Sequence, residues 1–207
     1  MKPIIAFDFD GTTIKSAISE EAHKDWYRIM SILLKDPKVV RLAGKKDFMG
    51  SVITITKRYT GIQDKVVLVK LARNLYQLIL LGKAQEHDIL VKDMTQLLKT
   101  LRKKYRTALV TTSPEDVVKP LLKASGALFD IVFLQPLHEK PSKLVLLRRF
   151  TARYGKPTCY IGNSREDVTA CKTLRIKSVL AKWDRFDNVK ADFEASTVRA
   201  LKGLLFS

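Results

Sequence analysis

The chain has 207 residues, of which 46% are hydrophobic, and its 38 lysines and arginines against 21 acids give a formal charge of +17. That length and apolar content can bury one α/β core and a small accessory domain. No apolar run reaches the roughly 18 residues of a membrane span, the first strand meets acids too early for a signal peptide, and two cysteines without CxxC spacing suggest neither a disulfide framework nor a zinc site. The expectation is a soluble, cytoplasmic protein with no membrane partner. Its charge would attract phosphates in general and nucleic acid in particular, yet the basic residues are scattered and rarely interleaved with aromatics. A lysine-rich surface is the simpler reading, and nucleic acid a possible but less favoured partner.

The first predicted element is Ile4-Ile5-Ala6-Phe7, an apolar run suited to a buried strand, after which Asp8-Phe9-Asp10-Gly11-Thr12 follows at once. In an open parallel sheet, functional groups gather beyond the carboxyl ends of strands, and Gly11 lets the backbone turn close to a ligand there. Asp8 and Asp10 would then face one cleft. An ionised Asp8 could attack phosphorus and form an aspartyl-phosphate, while Asp10 protonates the leaving alcohol and later deprotonates water. A magnesium ion is implied, because carboxylate and phosphate repel each other without a bridging cation. The competing reading is that both aspartates merely cap a turn after an edge strand.

Ser16 to Leu34 is predicted helical, with Trp26, Met30 and Leu33 on one apolar face, and Asp36-Pro37 ends it. A basic loop, Leu42 to Gly50, leads into Val52–Arg58 and then a long amphipathic stretch from Gln63 to Leu81. The whole of 15–85 reads as a small all-helical insert, against the local β preference of the branched run at Val52 to Thr56. The core, 1–14 and 86–207, resumes with a helix over Ile89 to Lys104 and a strand ending in Thr111-Thr112-Ser113. Thr111 and the backbone N–H after it suit a phosphoryl oxygen, while Ser113-Pro114-Glu115-Asp116 looks like a helix start. Further strands follow at Ile131–Leu134, Thr158–Gly162 and Ser178–Ala181, and a last helix starts near Ala195. The fold class is a doubly wound, mostly parallel α/β sheet with a helical cap domain.

Ala6 to Thr12 resembles the first motif of the haloacid dehalogenase superfamily, and the second acid, Asp10, resembles its phosphatase rather than its dehalogenase branch. The resemblance implies a Rossmann-like core and makes the insert a C1-type cap, a lid that excludes water and contacts substrate. Thr111 matches the second motif's hydroxyl, with Thr112 beside it. The third motif is a lysine that neutralises nucleophile and phosphate; Lys140, before proline, matches it better than Lys143. Gly162 to Asp167 resembles GDxxxD, with Asn163 in place of the first acid. Asp8, the Asp10 carbonyl, Asn163 and Asp167 are the implied magnesium ligands, and Lys46 in the basic loop is a candidate substrate contact, or equally a solvated charge. The implied activity is hydrolysis of a small phosphorylated metabolite. A sugar phosphomutase, or a basic binding module for nucleic acid or protein built on the same scaffold, are the alternatives. Substrate identity and oligomeric state stay open.

Overall fold

In the computed structural model, residues 2–42, 48–86, 88–136 and 141–206 are described. The chain divides into two compact units, one of residues 1–16 with 88–207 and one of residues 17–87. Each seam lies two residues beyond the division read from the sequence. The reason is local: Lys15 N–H donates to the Ile89 carbonyl and Lys15 Nζ to that of Asp88, which ties both residues to the first unit.

The first unit holds a parallel sheet of β1 (Ile4–Phe7), β2 (Arg106–Pro114), β3 (Ile131–Gln135), β4 (Cys159–Gly162), β5 (Lys177–Ala181) and β6 (Phe193–Ala195). The spatial order is β3-β2-β1-β4-β5-β6, so the strand order reverses between β1 and β4. That reversal opens a crevice at the carboxyl ends of the two strands, where doubly wound folds bind their ligands. All four β1 residues are buried, as a strand covered on both faces requires. One face carries Ile4, Ala6, Val110 and Tyr160 against Leu146, Leu147 and Phe150 of α6 (Lys143–Tyr154) and Cys171 of α7 (Arg165–Leu174).

Every described element of the second unit is helical: most of α1 (Ser16–Leu33), a 3-10 turn (Pro37–Leu42), α2 (Phe48–Thr60) and α3 (Lys65–Glu86). Its core is Trp26, Tyr27, Met30, Val39, Ile55 and Ala72. The β-branched run lies inside α2, because burial of Ile55, 3% exposed, outweighs a local strand preference worth about 1 kcal/mol at most. Leu33 departs from its expected face and is 66% exposed. The buried stripe runs Ile18, Ala22, Trp26, Met30, and the next residue on that four-residue rhythm is Leu34, which packs on the cluster.

Three further departures concern the first unit. The helix read over 89–104 is confined to α4 (Met94–Leu101), because Val91 N–H donates to Thr13 and Leu90 forms an antiparallel bridge with Ile14. Residues 89–91 are thus drawn into extended pairing. The edge strand β6 was not anticipated, and the last helix, α8 (Val198–Phe206), starts three residues later than read. Between β2 and α6 lies α5 (Glu115–Ser125), entered at Pro114 as the sequence suggested.

Candidate active site

The β1 ladder continues one residue past the strand, with Asp8 N–H donating to the Ile161 carbonyl of β4 at 2.8 Å. Asp8 is therefore held between β1 and β4 at the switch point. A tight turn follows, in which the N–H groups of Thr12, Thr13 and Ile14 all converge on the Phe9 carbonyl, and Thr13 Oγ1 donates to the Asp8 carbonyl at 2.6 Å. Gly11 adopts φ +68°, and a Cβ there would stand 2.3 Å from Asn163 Nδ2. Both the backbone and the close approach require glycine.

Lys143, the first residue of α6, supplies the cation. Its Nζ lies 2.6 Å from Asp8 Oδ1, 3.1 Å from Asp167 Oδ1 and 2.8 Å from the Tyr160 hydroxyl, which donates in turn to the Val110 carbonyl. Its backbone N–H is held by Glu166 Oε1 at 2.7 Å. Asp167 arrives from α7, where Oδ2 accepts from Ser164 N–H and Oγ and closes a capping box. Oδ1 is buried and aligned with no hydrogen-bond donor, the ammonium apart. Gly162 makes this approach possible, since a Cβ there would lie 2.5 Å from Asp167 Oδ2.

Lys143 and Asp167 are 3% and 1% exposed, and Asp8 8%. One ammonium among two carboxylates gives the cluster a net charge of −1, and that surplus settles on Asp8. Burial pushes the Asp8 carboxyl up to about 7; Lys143 opposes the rise, and the charge of Asp167 adds to it. Burial alone would lower the Lys143 ammonium, but the two carboxylates and their hydrogen bonds override it and hold it above its ordinary value. Tyr160 is likewise pushed up, chiefly by burial, so it stays a neutral phenol able to accept from Lys143 and donate to Val110.

The remaining candidates flank this centre. Asp10 is half-buried, and its Oδ2 accepts from Ser113 Oγ at 2.5 Å. Thr111 is buried and its Oγ1 accepts from Ser113 N–H at 3.0 Å; Thr112 is half-buried beside it. Asn163 Nδ2 donates to the Arg185 carbonyl at 2.7 Å, and Oδ1 lies 3.4 Å from Thr12 Oγ1. Lys140 and Lys46 lie outside the described residues. Among the described residues it is Lys143, the lysine that the sequence pattern ranks second, that meets Asp8. Neither Ser113 nor Tyr160 is among the site residues expected from the sequence, where the serine ends a strand and starts a helix and the tyrosine lies within a strand.

Among the described residues no group of three or more Asp, Glu, His or Cys side chains is arranged to hold a metal ion. A magnesium ion nevertheless suits the centre, since it takes one or two carboxylates and completes its shell with water and substrate oxygens. The net charge of −1 on two carboxylates and one ammonium is what a cation there would satisfy.

The fold and this cluster define a class, doubly wound α/β proteins with a buried aspartate–lysine centre where the strand order reverses. The chain belongs to the haloacid dehalogenase-like hydrolases, whose family profile matches residues 3–174. It is accordingly an enzyme, a hydrolase. No curated protein matches it by sequence. Similar solved structures include a protein assigned as a phosphatase from Clostridium difficile, 15% identical, with a TM-score of 0.72 and 99% of each chain covered. The hydrolase YfnB of Bacillus subtilis, solved with bound magnesium, is 17% identical over 99% of this chain and 98% of its own, with a TM-score of 0.68. CbbY from Rhodobacter sphaeroides, in complex with xylulose 1,5-bisphosphate, is 18% identical over 95% of both chains at 0.65. At these identities the likeness is one of fold. Among the described residues no helix is long and apolar enough to cross a membrane.

Proposed function

We propose that the chain is a magnesium-dependent phosphatase that hydrolyses a small phosphomonoester through an aspartyl-phosphate on Asp8. The observation that carries this is the Lys143 ammonium 2.6 Å from a buried Asp8 carboxylate at the switch point. A carboxylate there is positioned as a nucleophile, and the ammonium offsets its repulsion from the incoming phosphate.

A carboxylate oxygen of Asp8 attacks phosphorus as the bond to the alkoxide leaving group breaks, and Asp10 gives that oxygen its proton. Asp10 then takes a proton from water while the water oxygen attacks phosphorus. The Asp8–phosphorus bond breaks, inorganic phosphate leaves, and both aspartates return to their starting states. The Thr111 hydroxyl, which accepts one bond from Ser113 N–H, keeps its own proton to donate to a phosphoryl oxygen. Magnesium, when bound by Asp8, the Asp10 carbonyl and neutral oxygens such as Asn163 Oδ1, supplies charge neutralisation between carboxylate and phosphate. Lys143 takes the role that the sequence pattern gave to Lys140. Substrate selection is assigned to the helical unit, including the loop that carries Lys46. The phosphorylated sugar bound by CbbY is of the substrate class proposed here.

The test is a screen of phosphorylated metabolites with magnesium, run beside Asp8→Asn. Turnover that vanishes in a folded Asp8→Asn protein is the expected result. A variant retaining more than a trace of the wild-type rate overturns the nucleophile assignment, and transfer of phosphate to an added alcohol would instead indicate a phosphomutase.

A further inference from the structure

We infer that Ser113 is a positioning residue that aims the Asp10 carboxyl group at the leaving-group oxygen, an inference that rests on the phosphatase reading for the role of Asp10. Strand β2 pairs with β3 in regular register through Thr111 and Leu134, and pairing resumes at Pro114 and Gln135. Between those pairs β3 advances by one residue and β2 by three, so Thr112 and Ser113 are extra residues in a bulge. Bulges at strand ends re-aim side chains that a regular pleat would point elsewhere.

Two constraints hold Ser113 in that conformation. Its N–H donates to Thr111 Oγ1 at 3.0 Å, and the proline that follows restricts it to extended backbone. Its hydroxyl then donates to Asp10 Oδ2 at 2.5 Å, joining the β2 end to the β1 turn across a separation of 103 residues. The acceptor is half-buried and stands next to Gly11 at φ +68°. A proton donor must lie within hydrogen-bond reach of the oxygen that it serves, and a displacement of about 1 Å can cost about 10²-fold in rate. Fixing Oδ2 fixes the plane of the Asp10 carboxyl group. Since Thr111 is the last regularly paired residue before the bulge, one short segment would place the proposed phosphate donor and orient the proposed acid.

The experiment uses the full chain as Ser113→Ala and Ser113→Thr, with p-nitrophenyl phosphate and an alkyl phosphate such as glycerol phosphate as probes. General acid catalysis is worth about 10²–10⁴-fold, so a mis-aimed acid forfeits part of that and only where the leaving group needs a proton. Ser113→Ala is expected to lose about 10–100-fold in kcat on the alkyl ester and little on the aryl ester, with KM unchanged, and threonine is expected to restore the rate. Equal loss on both esters, or no loss, overturns the inference. Should the wild-type chain hydrolyse neither ester, the phosphatase reading fails separately, and a crystal structure of Ser113→Ala then decides. A reoriented Asp10 carboxyl group supports the positioning role; an unmoved one overturns it.

Discussion

Replacing Lys143 by methionine keeps the length of the side chain and removes only its charge and hydrogen bonds. Asp8 and Asp167, 8% and 1% exposed, would then share a buried site without their counter-ion, and the cluster would pass from a net charge of −1 to −2. Removing one partner of a buried ion pair costs about 3–5 kcal/mol, because the other charge stays desolvated. For a chain of this size each kcal/mol lowers Tm by about 2–4 °C, which gives an expected fall of about 6–20 °C. The assay is thermal unfolding of both proteins in EDTA. Its pH dependence has a definite sign. The folded-state Asp8 carboxyl already sits at about 7 against an ordinary 3.8, raised by burial and opposed by Lys143. Without Lys143 it rises further. A group whose folded pKa lies above its unfolded one favours the fold fully below the unfolded pKa, and that contribution fades as pH climbs through the folded value. The deficit of Lys143→Met is therefore expected to shrink between pH 8 and pH 5. Millimolar magnesium should also narrow it, since a cation bound only by the native state replaces part of the lost charge. An unchanged Tm in EDTA at pH 8 would refute the idea that the ammonium neutralises a buried pair of carboxylates.

Two further predictions concern the β4 turn and the cysteines. Asn163→Asp should tighten magnesium half-saturation of activity by about 10–100-fold through the added charge. It should also lower Tm in EDTA, because a carboxylate cannot donate to the Arg185 carbonyl as the amide does. An unchanged half-saturation in a magnesium titration would mean that residue 163 does not face the metal. Burial pushes the thiols of Cys159 and Cys171 up to about 12, so neither should react with iodoacetamide at pH 8 until guanidinium unfolds the chain. Rapid labelling of the native protein, read by mass spectrometry, would contradict that packing.

The sheet was legible in the sequence because its strands are short apolar runs that end abruptly in polar residues or glycine, a pattern that follows from burial of the strands. The acidic turn at the end of β1 was legible for the same reason: Asp8 and Asp10 stand where the apolar run stops. What escaped depends on distant partners. The contact of Lys143 with Asp8 could not be read from spacing, because it depends on where α6 begins, and Glu166 of α7 grips the Lys143 N–H. Ser113 carries an ordinary helix-entry signal, and its second role exists only because a bulge turns its hydroxyl toward β1. Residues 89–91 scan as helix by periodicity, yet pairing with 13–15 draws them out straight. The strand β6 has three residues, of which Phe193 and Glu194 are exposed, too short and too wet to leave a pattern.

That pairing of Ile14 with Leu90 has a consequence for how the chain is assembled. Antiparallel partners lie only about 4.5–5.5 Å apart between their Cα atoms. The core therefore sees the 71 residues of the helical unit as a single long loop whose two ends meet at one point. Loop-closure entropy grows only as the logarithm of length, about 0.6 kcal/mol for each doubling. An insert of twice the size, or half, would burden the sheet by nearly the same amount, provided that its own core held it together. The α/β core is thus a mount with one socket. In closure entropy the helical unit is therefore cheap to lengthen, shorten or replace, while the strands that carry Asp8, Thr111 and Gly162 keep their register.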